Sequence, residues 1–252
     1  MNAFTCIDKI KENGNISYEL QDSAGKKVLV SDEKLKALLK KAAFGPDDFL
    51  YILGDVIDRN GDGGIGILVW LLTQSNVQLI LGNHEAMLLA CDFLFEEITF
   101  ESLDRLSDDN VELLRDFIMN GGNCTLQALQ DLDKDTQQAI LEYLRECPLY
   151  EAITVGDMDY FLVHSGFENF REDRKISDYS ADELLWARPK IDTVYYEDVH
   201  TILGHTPTKF YGIGFDGHIL KTRTWTNIDC GAGHGTEPVL LRLEDFKEFS
   251  LA

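Results

Sequence analysis

Four short polar clusters stand out, each directly after an apolar run: GDVIDRN after FLYIL, GNHE after VQLIL, HSGF after YFLV, and GHTPT after TIL. They bring Asp55, Asp58 and Arg59 after the first run, and Asn83, His84 and Glu85 after the second. His164 follows the third and His205 the fourth. Carboxylate oxygen, amide oxygen and imidazole nitrogen make a mixed O/N shell. Such a shell suits manganese, iron or zinc better than calcium or a thiolate-bound zinc. Asp55, Asn83, His164 and His205 could together hold one cation, and a carboxylate can bridge two, as in two-metal hydrolytic sites. The glycines before three of these residues, Gly54, Gly82 and Gly204, would permit sharp turns close to a metal.

Stepping from residues to elements, the apolar runs read as strands whose ends must share one rim, the place where open α/β sheets bind ligands. FLYIL at 49–53, a helix from about Ile65 to Thr73 and VQLIL at 77–81 form a βαβ unit, which predicts a parallel pair. Residues 85–147 are mostly helical in period, broken by NGGN at 120–123. From Leu149 strand-like segments return: YEAITV, YFLVH, HTILG, HILKT, TNIDC and PVLLRL. Ahead of all this, residues 4–30 read as short strands with turns at ENGN (12–15) and SAGK (23–26). The segment KVLVSDEKLKALLKK then passes from strand to helix with only Ser31 and Asp32 between. One α/β domain with a helical insertion is the simplest account.

In order and spacing, GDVIDRN, GNHE, LVHSGF and GHTP resemble the motif series of the calcineurin-like metallophosphoesterases. The likeness is to the phosphoprotein-phosphatase branch, which includes bacterial serine/threonine phosphatases and diadenosine tetraphosphate hydrolases. Flanks such as FGPDDFLYILGDVID and NIDCGA extend the similarity from about residue 43 to the end. The resemblance implies a sandwich of two mixed β-sheets flanked by helices (α/β, or α+β). It implies a phosphoesterase domain over residues 31–252, with the helical insertion at about 86–147 and an extra strand-turn-strand piece over 1–30.

Carried over residue by residue, Asp55 resembles the bridging metal ligand, with Asn83, His164 and His205 completing one metal site. His84 resembles the general acid and Asp58 the carboxylate that orients it. Arg59, and with it Arg188 in LLWARP, resemble phosphate grips. The implied cofactor is divalent, manganese first, with iron, zinc or magnesium as alternatives, as one ion or two. The implied substrate is a phosphomonoester, on a protein or a small molecule, or a dinucleotide polyphosphate. The chemistry is coherent: metal ions neutralise the anionic ester and activate water. An arginine binds two phosphate oxygens at once, and an imidazole protonates the departing oxygen.

Two features depart from the family pattern. Asn60 stands where DRG has its glycine, a mild change because Asn tolerates left-handed backbone. The Asp-x-His-Gly loop that normally opens the family is missing, and its histidine and glycine with it. Asp32 can stand for the aspartate as a metal ligand, or can simply cap the helix that follows. The expectation is one complete metal site and one impaired. A degenerate relative that binds phosphate-bearing ligands or a partner without turnover is the alternative function.

Composition narrows the partners. A net charge of −21 opposes non-specific nucleic-acid binding and anionic lipid. The five scattered cysteines make no C-x-x-C pair and read as reduced thiols of a cytoplasmic protein. The TNIDCGA segment resembles the bacterial members of the family, which implies a bacterial enzyme. The longest apolar run, ILVWLL, is too short to span a bilayer. GDGGIG at 61–66 matches a dinucleotide-binding pattern by form alone, since it begins several residues after the strand ends. His200, His218 and His234 belong to no motif and read as structural or exposed. Oligomeric state is not legible.

Overall fold

The structure, a computed structural model, describes residues 5–12, 15–21, 32–59, 61–97, 99 and 107–251; for 5–21 and for Asp32 the backbone alone is described. The SAGK turn, the KVLV strand and Asn60 fall outside the described residues. The chain divides into two compact units. The first gathers Met1–Glu33, Val56–Ser75 and His84–Glu146, the second Lys34–Asp55, Asn76–Asn83 and Cys147–Ala252.

In the first unit, strands β1 (Thr5–Glu12) and β2 (Asn15–Gln21) pair antiparallel with Glu12 opposite Asn15, as the ENGN signal predicts. The helices are α2 (Ile65–Leu71), α3 (Asn83–Ala90, from His84 onward), α4 (Asp108–Met119), α5 (Asn123–Gln130) and α6 (Lys134–Glu146). Two of them start on a capping side chain. Ser107 and Asn110 close a capping box at the start of α4. Asp133 accepts from the Thr136 amide at 2.9 Å to start α6. On α6, Ile140, Leu141 and Leu144 fall on one face and are buried, at the spacing a core-facing helix requires. Gln137, also buried, is satisfied by the carbonyls of Leu129 (2.6 Å) and Leu132 (3.2 Å), which ties α6 to the end of α5. The NGGN break is real: α4 ends at Met119 and α5 starts at Asn123.

The second unit holds α1 (Asp32–Ala42, from Lys34 onward) and strands β3 (Leu50–Ile52) and β4 (Val77–Leu79), which are parallel with Leu50 opposite Val77. Both strands are shorter than the apolar runs that announce them. Leu53 leaves the ladder because its carbonyl turns to an imidazole, described below, and Gly54 bends away at φ 80°. The remaining strands are β5 (Tyr150–Val155), β6 (Met158–Val163), β7 (Val199–Leu203), β8 (Leu220–Lys221) and β9 (Trp225–Asn227). They form one sheet in the order β5-β6-β7-β9-β8. β6, β7 and β9 run parallel while β5 and β8 pair antiparallel at the edges, so the sheet is mixed. A final hairpin, β10 (Val239–Arg242) with β11 (Lys247–Ser250), includes one strand that the apolar pattern does not announce.

The alternation of β6 decides where the core lies. Tyr160 and Leu162 pack with Leu53, Ile80 and Ile202, backed by Leu241 of β10. Val163 packs on the other face with Phe167, Leu203 and Trp225, joined by Leu184 of the short helix α7 (Ala181–Leu185). The large sheet is therefore covered on both faces, with β3, β4 and β10 contributing to one of them. Among the described residues no helix is long and apolar enough to cross a membrane.

Candidate functional site

Within the second unit, four of the predicted ligands come together. His164 follows β6 and is buried. Its Nδ1 lies 2.6 Å from the Leu53 carbonyl, which can only accept, so that nitrogen carries the proton. Nε2 is the nitrogen left to face the other polar groups. That atom stands 2.9 Å from Asn83 Oδ1, 3.4 Å from Asp55 Oδ1 and 3.2 Å from His205 Nδ1. His205 Nδ1 is itself 2.9 Å from Asn83 Oδ1. Ligand atoms of Asp55, His164 and His205 all lie within 4.8 Å of one another. Acceptors converging in this way are satisfied together by a cation, and the donor set fits a divalent metal. The Leu53 carbonyl plays the orienting part usual behind a ligating imidazole.

The backbone explains the closeness. A Cβ on Gly54 would come within 2.5 Å of Gly82 Cα and 2.7 Å of His164 Nδ1, so only glycine fits. Gly204 differs from the expectation. A side chain there would meet only ordinary contacts at 3.6 Å, and the left-handed turn falls on His205 itself, at φ 68°.

In the first unit a second group forms. His84 Nδ1 lies 2.6 Å from Asp58 Oδ2, with both side chains almost fully buried. Asp58 Oδ1 accepts from the Thr125 hydroxyl at 2.5 Å, and the Asp58 amide lies 3.0 Å from the same hydroxyl oxygen. Arg59 Nη2 stands 2.6 Å from His84 Nε2. The Arg59 amide donates to the Gly121 carbonyl at 3.1 Å, and a Cβ on Gly121 would press on Arg59 Cγ at 2.8 Å. Glu85, wholly buried, accepts from the Val56 amide at 2.8 Å and fixes the loop that carries Asp58. Asp62 accepts from the Gly66 amide at 2.7 Å and from Gly64 at 3.3 Å. The GDGGIG stretch is thus a folded turn leading into α2.

Thr125, Glu85 and Asp62 were not among the expected site residues. Thr125 has no signal near its partner, being 67 positions from Asp58 in the chain. Among the described residues seven non-glycines have positive φ, and four of them are Asp55, Asp58, Arg59 and His205. Backbone held in this sparsely populated region is a mark of functional loops.

Arg188 donates to Thr206 Oγ1 at 3.3 Å, beside His205 in the chain. Asp229, also unanticipated, accepts from the Gly231 amide at 2.9 Å. Burial holds its carboxyl above the ordinary range, and the Asp55 charge pushes the same way. Asp32 opens α1, and its side chain lies outside the described residues. His200 pairs with Thr226 at 2.8 Å, its pKa lowered by burial, in agreement with a structural part.

Residues 30–234 match the family model described as calcineurin-like phosphoesterase. The chain belongs to the calcineurin-like phosphoesterases. This phosphoesterase is 29% identical over 164 residues to a symmetrical bis(5'-nucleosyl)-tetraphosphatase of Acidovorax sp. (strain JS42), a match covering 65% of this chain. It spans about half the length of that relative, 47%. In fold the phosphoesterase is similar to a crystal structure provisionally called a diadenosine tetraphosphatase. The TM-score is 0.57 at 15% identity, covering 87% of each chain. That likeness establishes the sandwich architecture expected from the motifs. Membership of the family also brings the requirement for divalent metal.

Proposed function

We propose that this protein is a metal-dependent hydrolase of phosphate esters and anhydrides, with dinucleotide polyphosphates as the favoured substrate class and phosphomonoesters as simpler ones. The observation that carries the reading is the convergence of lone pairs from His164, Asn83 and Asp55 around one point. The names of the relatives favour a dinucleotide over a phosphoprotein.

Asp55, Asn83, His164 and His205 would hold the ion. When bound, a divalent ion supplies positive charge for the phosphate oxygens and an activated water at neutral pH; manganese is our first choice. Arg59 grips phosphate oxygens, with Arg188 as a second cation. His84, oriented by Asp58, delivers a proton to the departing oxygen. Thr125 holds Asp58 in the rotamer that this requires. We assign these roles to residues 31–252, with 1–30 an added piece, in a bacterial cytoplasm where the cysteines stay reduced.

Hydrolysis of p-nitrophenyl phosphate and of diadenosine tetraphosphate, with manganese added, tests the reading beside a His84→Asn control. Turnover that the control loses supports it. No turnover of either substrate with metal bound would leave a phosphate-ligand-binding protein instead.

A further inference from the structure

Trp186 is held in an unusual way for so large an apolar side chain. It follows two leucines that are buried, Leu184 and Leu185, and precedes the buried Ala187, yet it is itself 41% exposed. Its amide donates to the Asp182 carbonyl at 3.0 Å, which fixes the backbone at the end of α7. Its ring stands edge-on to His205, with centroids 5.8 Å apart and planes at 85°. An indole is thus exposed directly against one of the residues that gather around the candidate cation.

The chain just past His205 carries a second exposed ring. Phe210 is 68% exposed, at a segment pinned by Thr208, whose amide donates to the Asp229 carbonyl at 2.9 Å. Phe210 stands edge-on to His234 at 6.5 Å, and Lys209 Nζ lies 5.6 Å from its ring centre. Exposed aromatic faces with a nearby cation are the elements of a sequence-tolerant stacking site for nucleobases.

We propose that Trp186, with Phe210 beside the same loop, stacks the base of a nucleotide-bearing substrate whose phosphate is held at His205 and its partners. The inference rests on the phosphoesterase reading and adds a specificity determinant to it. Trp186 acts on binding of the base and takes no part in proton transfer. A substrate with phosphate but no base would lose this contact and keep the rest.

The test is calorimetric binding of AMP and of ribose 5-phosphate to the manganese-loaded protein. The two ligands share a phosphate and a ribose and differ in the base. The wild type should prefer AMP by about tenfold or more. Trp186→Ala should bring the preference close to one, Trp186→Phe should restore part of it, and Phe210→Ala should lower it. In parallel, the ratio of kcat/KM on diadenosine tetraphosphate to that on phosphoserine should fall in the same variants. Equal binding of AMP and ribose 5-phosphate by the wild type overturns the proposal. So does a preference that survives Trp186→Ala and Phe210→Ala alike. Hydrolysis of phosphoserine by a wild type with no preference for AMP would sink the stacking site alone. No hydrolysis at all would sink the phosphoesterase reading instead.

Discussion

Arg59 Nη2 stands 2.6 Å from His84 Nε2, while the Nδ1 of the same ring lies 2.6 Å from Asp58. A guanidinium never gives up its proton in proteins, so Nε2 is the acceptor and Nδ1 the donor. In the role proposed for His84, the nitrogen that would deliver a proton to a leaving oxygen is occupied by an arginine. On that proposal a phosphate that draws Arg59 to itself would open Nε2 to protonation, coupling phosphate binding to readiness of the acid through one side chain.

Arg59→Lys keeps the charge and loses the planar fork. We expect kcat/KM to fall about 10- to 100-fold, the size of a lost charge-assisted hydrogen bond of ~1.5–3 kcal/mol. Inhibition by inorganic phosphate should weaken in parallel. Steady-state kinetics with phosphate titration check both. An unchanged phosphate inhibition constant would remove Arg59 from the phosphate grip.

His84→Asn should lower kcat about 100- to 10,000-fold on a substrate with a poor leaving group, and far less on p-nitrophenyl phosphate. Thr125→Val removes the hydroxyl that Asp58 needs while leaving the ring in place. It should cost about 10-fold, and Thr125→Ser should recover most of it. Leaving-group dependence across a substrate series separates the acid from a merely structural histidine.

Metal analysis after dialysis should find one tightly bound divalent ion per chain, because the proposed ligand set would complete one site while the family's opening loop is missing its histidine. His164→Ala should lose it. Two tight equivalents would show that the shortened loop still builds a second site.

Burial lifts the Cys91 thiol to about 11 and the Cys230 thiol to about 12, with neighbouring carboxylates pushing the same way. Both should stay unreactive towards a thiol reagent in the native protein at neutral pH and react on unfolding. Mass spectrometry of alkylated protein reads this directly.

Glu183 is drawn down to about 2, first by the Arg174 guanidinium and then by the Ser180 amide. Its folded pKa is below the unfolded one. The stabilisation it gives is therefore complete above the ordinary glutamate range and is lost as the pH falls from about 4.5 towards 2. Glu183→Gln should flatten that part of the acid-unfolding curve, measured by circular dichroism. The exposed setting keeps the effect small.

Much of this site was legible because its parts sit at the ends of apolar runs. Asp55, Asn83, His164 and His205 each follow one, and sheet topology did the rest. The Asp58 and His84 pair was legible only through the likeness to a family, since nothing in their spacing demands a contact. Thr125 was not legible at all, and Glu85 was legible as a member of GNHE but not in its part: a hydroxyl far along the chain and a carboxylate behind a loop answer backbone geometry that no periodicity encodes. Strand lengths failed for a related reason. The runs at 49–53 and 77–81 give up their last residues to loop and imidazole contacts, and apolar character does not record where a carbonyl turns.

The backbone at Asp55, Asp58, Arg59 and His205 is one that glycine would adopt at lower cost, by about 1 kcal/mol per position. Engineers seeking a hardier version of this protein would find these four positions attractive on thermal grounds. Gains made there would remove the groups assigned to metal, phosphate and proton, so thermotolerant descendants should accumulate their changes elsewhere in the chain.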